Sequence, residues 1–114
     1  MGQPVVHFEI GGRNSADSAE FYSKLFDWKM RIAGPVTVID TGAEGIPGHI
    51  TALGHEPHNF VTIYVQVDDL QAYLDKAQEL GGSTIEPPVE LPTAWFAWLS
   101  DPDGNIIGLW KPKP

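Results

Sequence analysis

Apolar and polar residues alternate strictly over residues 5–10: Val6, Phe8 and Ile10 fall on one face, Val5, His7 and Glu9 on the other. A period of two marks a half-buried strand. Gly11-Gly12-Arg13-Asn14 then reads as a loop. Ser15 or Asp17 can cap a following helix, because a short side-chain oxygen satisfies the unpaired N–H groups of a first turn. Ala19, Phe21, Tyr22, Leu25 and Phe26 form its apolar stripe, which predicts that these side chains face a sheet. Strand-like runs occupy residues 28–32, 36–40 and 49–53, with glycine and proline between them. Residues 54–59 are a polar connector.

Beyond the connector the order restarts. Residues 61–67 alternate, with Ile63, Val65 and Val67 on one face and Thr62, Tyr64 and Gln66 on the other. Asp68 or Asp69 caps a helix whose stripe is Leu70, Tyr73, Leu74, Ala77 and Leu80, closed by Gly81-Gly82. Three further strand-like pieces follow, at residues 84–89, 94–100 and 105–110. Asp101-Pro102-Asp103-Gly104-Asn105 joins the last two as a tight turn: proline presets its first corner and glycine takes the positive-φ corner. The chain therefore reads β-α-β-β-β twice: a module over about residues 1–54, a linker over 55–59 and a second module over about 60–114. His7-Phe8-Glu9-Ile10 aligns with Tyr64-Val65-Gln66-Val67, and the six residues from Gly48 align with the six from Gly104.

Composition narrows the class. With 114 residues, 42% apolar and 19% charged, the chain is one ordinary globular domain. No apolar run approaches the ~20 residues that span a bilayer, and the opening residues lack a signal-peptide pattern. Zero cysteines remove disulfides, thiolate ligands and a cysteine nucleophile, which suits a cytoplasmic location. A net charge of −8 argues against nucleic acid and anionic membranes as partners.

The doubled element order, the opening Val5-Val6-His7-Phe8-Glu9-Ile10, Phe21-Tyr22 through Leu25-Phe26-Asp27-Trp28, and the turn from Asp101 to Asn105 resemble the vicinal oxygen chelate superfamily. That superfamily includes glyoxalase I, extradiol dioxygenases, fosfomycin-resistance enzymes and bleomycin-binding proteins. The resemblance implies an α+β fold in which two βαβββ modules form an open, cleft-enclosing mixed sheet. It also implies a metal held by the first and last strands of each module. His7 matches the first ligand position; Tyr64, Gly108 and Ala52 stand where the other donors usually lie. Glycine and alanine side chains supply no lone pair, so the expectation is a depleted site with no metal and no other cofactor.

The remaining candidates follow from parity. Glu9 and Gln66 share a face with His7 and Tyr64 and make a set of imidazole, carboxylate, phenol and amide that can orient a ligand. Trp95 and Trp98 lie on opposite faces of their strand, so one of them can line the pocket. Trp110 has the parity of Gly108, which suggests a stacking wall beside a missing side chain. His49 is expected at the rim, and His55 and His58 as solvated loop residues. Two functions stay open: a binding protein for a small organic ligand, or a lyase, isomerase or dioxygenase-type enzyme, with or without a divalent metal, in which His7 or Glu9 moves a proton. A homodimer is expected, since two short modules leave open sheet edges and many apolar rings.

Overall fold

A computed structural model describes residues 2–52 and 60–114, so His55 and His58 lie outside the described residues. The elements run β1 (Val5–Gly11), α1 (Ser15–Phe26), β2 (Lys29–Ala33), β3 (Val36–Asp40), β4 (Gly48–Thr51), β5 (Phe60–Gln66), α2 (Leu70–Glu79), β6 (Ser83–Glu90), β7 (Ala94–Ser100) and β8 (Ile106–Pro112). This is an α+β fold built from two βαβββ modules. By packing, the chain divides into one compact unit of His7–Thr62 and another of Met1–Val6 with Ile63–Pro114. The opening residues join the later unit through a bond from the Gln66 N–H to the Pro4 carbonyl, 2.9 Å.

In the earlier unit the strands lie in the order β2-β3-β4-β1. β1 and β4 are parallel, and the other pairs are antiparallel. Asn14, not Ser15 or Asp17, caps α1: its side-chain oxygen accepts the Asp17 N–H at 3.0 Å. The helix ends at Asp27 in the left-handed conformation (φ 60°), its N–H donating to the Ser23 carbonyl. Phe8 meets Trp28 with ring centroids 5.8 Å apart, and Trp28 stacks on Tyr22 of α1 at 5.7 Å. Ile39 and Ile50 are fully buried.

Only part of the apolar stripe read from the sequence faces the sheet: Ala19 and Tyr22 are half-buried, whereas Phe21, Leu25 and Phe26 are exposed. No residue of α1 is buried; Phe21, Leu25 and Phe26 are 59%, 58% and 53% exposed. The half-buried residues are Ser15, Ser18, Ala19, Tyr22 and Ser23. Successive residues turn by about 100°, so choosing Tyr22 as the inward ring carries Phe21 and Leu25 out to the flank.

In the later unit the order is β5-β8-β7-β6, again with one parallel pair, β5 with β8. Asp69 caps α2, accepting the Ala72 N–H at 3.0 Å. Leu70 and Leu74 of α2 pack on Val67, Ala97 and Leu109 to form a buried core. Leu80, expected on that stripe, is the C-cap and stands 71% exposed. The outer strand β6 is blunted by Pro87, Pro88 and two register shifts, which discourage further strand pairing.

The β7–β8 turn sets the register of the last strand. The Asp101 carboxylate accepts from the N–H groups of Asp103 (3.0 Å) and Asn105 (2.9 Å), and from the Asn105 side chain (2.9 Å). These bonds, the Asn105 side chain foremost, hold its pKa below the usual carboxylate value. Gly104 takes the positive-φ corner at 91°.

Candidate functional site

Phe8 faces α1 through Trp28, so alternation along β1 turns His7 and Glu9 to the opposite face of the sheet. In the parallel pairing of β1 with β4, Glu9 is level with His49, which points the same way. The three side chains meet. His7 Nε2 lies 2.7 Å from His49 Nδ1, and His49 Nε2 lies 3.5 Å from Glu9 Oε2. Glu9 is only 3% exposed.

The short His7–His49 contact is a hydrogen bond whose donor depends on the ring tautomers, and the His49 Nε2 atom faces the Glu9 carboxylate. Burial, and after it the neighbouring His49, lowers the His7 pKa from 6.5 to about 4; Glu9 opposes that shift. His7 is therefore neutral at pH 7.

His49 belongs to this cluster rather than to a rim. Equating its strand with the last strand residue for residue concealed the placement. The Glu9↔His49 register, extended by two residues, sets His7 level with Pro47 and leaves Ala52 beyond the end of β4. The legible signal was parity: a histidine opposite Glu9 on a parallel neighbour must share its face.

The later unit builds a different surface. Tyr64, Gly108 and Trp98 lie in one row across β5, β8 and β7. The Tyr64 ring leans over Gly108, so its hydroxyl accepts the Trp98 Nε1–H at 2.8 Å. A Cβ on Gly108 would lie 2.3 Å from that ring, so only glycine admits the arrangement. The open space expected over Gly108 is thus filled by Tyr64. Trp110 meets the Tyr64 ring edge-on at 5.9 Å, and Phe96 lies 5.7 Å from Trp98.

Trp95 does not join them. It packs on the helix-side core, with the Lys113 ammonium 5.4 Å from its ring, because Trp95, Ala97 and Leu99 share the face turned to α2. Gln66, of the parity of Tyr64, lines a surface depression of about 320 Å³ with Gln3, Pro4 and Lys111.

Among the described residues, no group of three or more His, Asp or Glu side chains is arranged to hold a metal ion. The donor geometry within each unit agrees. Two nitrogens bound to one Zn²⁺ would each sit ~2.0–2.1 Å from it; the facing His7 and His49 nitrogens, at 2.7 Å, hold a proton instead. In the later unit the Tyr64 hydroxyl is engaged by Trp98, and Gly108 has no donor.

The sequence profile of the Glyoxalase/Bleomycin resistance protein/Dioxygenase superfamily matches residues 5–109. The chain belongs to that superfamily. Among superfamily relatives, the glyoxylase-named CFP32 of Mycobacterium bovis is 43% identical over 53 residues, 46% of this chain and 20% of that protein. The anthracycline biosynthesis protein DnrV of Streptomyces peucetius is 26% identical over 129 residues, 91% of this chain and 45% of that one. The chain thus spans less than half the length of these relatives. A superfamily member from Vibrio splendidus shares the fold, with a TM-score of 0.67 at 13% identity over 98% of this chain and 100% of that one. No helix among the described residues is long and apolar enough to cross a membrane.

Proposed function

We propose that this chain binds a small organic molecule without a metal, on the sheet face that carries His7, Glu9 and His49. The reading rests on one observation: the Glu9–His49–His7 chain, a buried carboxylate and two facing imidazoles within hydrogen-bonding reach of one another. Buried polar groups of this kind cost desolvation unless they are paired or used, and a pre-ordered set suits a ligand with a hydroxyl or carbonyl group. Within the later unit, taken by itself, Tyr64, Trp98 and Trp110 form an aromatic surface of the kind that suits planar ligands. A relative named for anthracycline biosynthesis supports the same ligand class, planar and oxygenated. With no cysteine in the chain, a reducing compartment such as the cytoplasm suits this role.

The alternative, an enzyme in which His7 or Glu9 moves a proton, is the weaker reading. A general base works best with a pKa near the working pH, and His7 at about 4 has too little proton affinity at neutrality. The test is a tryptophan-fluorescence screen of planar hydroxylated and carbonyl-bearing aromatics, run on protein purified without chelator and checked by elemental analysis. Saturable binding to protein with well under one metal per chain, weakened about tenfold by His49→Ala (~1.4 kcal/mol), is expected. One metal per chain, lost on His7→Ala, would refute the metal-free reading and revive the enzyme. Binding indifferent to His49→Ala would refute the site.

A further inference from the structure

The row of residues that passes through the candidate site continues to the far edge of its sheet. Glu9 is level with His49, His49 with Val38, and Val38 with Arg31, across β1, β4, β3 and β2. Residues level with one another on neighbouring strands point to the same face, so all four share the face opposite α1. Exposure rises along the row: Glu9 is buried, His49 and Val38 are half-buried, and Arg31 is exposed. A carboxyl, an imidazole, an isopropyl group and a guanidinium therefore follow one another at ~4.8 Å intervals of backbone.

Lys29, two residues before Arg31, falls on the same face by alternation. Both line a depression of about 410 Å³ together with Val38, Asp40 and Pro47. Asp40 is level with Lys29, and its carboxylate accepts the Gly42 N–H at 2.9 Å. Arg31 is level with an apolar residue instead, and its side chain makes no hydrogen bond or ion pair among the described residues. Charge gives this row a direction. The chain carries a net −8, so a small anion is held only where cations outweigh that field. The Glu9 oxygens disfavour an anion at one end of the row, and Arg31, with Lys29 beside it, attracts one at the other. Val38 lies between them as an apolar floor. The planar guanidinium matches a carboxylate through two parallel N–H bonds.

We propose that the ligand of this face is a small carboxylic acid. Its hydroxyl or carbonyl end lies at the His7 and His49 imidazoles, its frame crosses Val38, and Arg31 binds its carboxylate two strand spacings from His49, ~10 Å away. This names the ligand class of the site proposed above and rests on that reading.

The test compares 6-hydroxy-2-naphthoate with 6-hydroxy-2-naphthamide by isothermal titration calorimetry of the full chain at pH 7.5. The two share a planar frame with a hydroxyl at the far end and differ by one charge. The acid should bind at least ~10-fold more tightly than the amide in about 25 mM NaCl, and its advantage should shrink in about 300 mM NaCl. Arg31→Met, at an exposed position, should bring the two affinities within ~2-fold of each other, with the circular dichroism melt preserved. Equal affinity of acid and amide for the parent, with both weakened by His49→Ala, would overturn the carboxylate and leave the ligand reading standing. An advantage of the acid that survives Arg31→Met would overturn the assignment of Arg31. Binding of neither compound would overturn the proposal together with the ligand reading.

Discussion

Replacing Gly108 with alanine tests the packing of the later unit at its tightest point. The added Cβ would lie 2.3 Å from two atoms of the Tyr64 ring, well inside van der Waals contact. Tyr64 is 3% exposed, so its ring cannot simply swing into solvent. Moving it breaks the bond from Trp98 Nε1, worth ~1 kcal/mol, and overpacks the row, worth ~1–3 kcal/mol. Against this, alanine restricts the unfolded strand more than glycine and gains ~0.5–1 kcal/mol. The balance is a net loss of ~1–3 kcal/mol. At several degrees per kcal/mol for a domain of this size, the midpoint should fall by roughly 5–15 °C. Urea unfolding followed by tryptophan fluorescence measures it. In a Tyr64→Leu background the same substitution should be neutral or slightly stabilising, because the ring it strikes is gone. Stability of Gly108→Ala within 0.5 kcal/mol of the parent, or an equal cost in both backgrounds, would refute the reasoning.

Other outcomes follow from the same structure. The His7 pKa of about 4 lies below its unfolded value of 6.5, so the unfolded chain binds the extra proton between those pH values and stability falls as pH drops through them. The full shift corresponds to ~3.4 kcal/mol, which screening at a partly exposed ring reduces to ~1–2. Urea titrations at pH 7.5 and 4.5 should therefore show a loss for the parent that exceeds the loss for His7→Gln by about that amount. Asp27 sits at φ 60°, where a Cβ is strained, so Asp27→Gly should raise stability by ~0.5–1 kcal/mol in the same assay.

Much of the fold was legible in the chain because its strands alternate and its turns carry specific residues. The period-two runs around His7 and Tyr64 identified β1 and β5, and Asp101 to Asn105 located the last hairpin. The phase of α1 was not legible. Its apolar residues cover more than half a turn, and the choice of Tyr22 as the inward ring depends on Trp28 and Phe8, which reach it only in three dimensions. The register of β4 was missed for a similar reason. A parallel neighbour is set by the strands between, not by counting from a glycine, so His49 came to lie opposite Glu9 unannounced. Parity alone likewise left Trp95 and Trp98 undecided. The core around Leu70 and Leu74 claims the former, and the Tyr64 hydroxyl claims the latter.

The account turns on His7 being a neutral imidazole hydrogen-bonded to His49, with neither ring a metal ligand. Long-range ¹H–¹⁵N correlation spectra of the imidazoles at pH 7, before and after one equivalent of Mn²⁺ or Zn²⁺, read this directly. His7 should show the signals of a neutral ring, and the metal should leave the shifts and linewidths of both rings unchanged. A cationic His7, or the joint loss or shift of the two ring signals at one equivalent of metal, would contradict it.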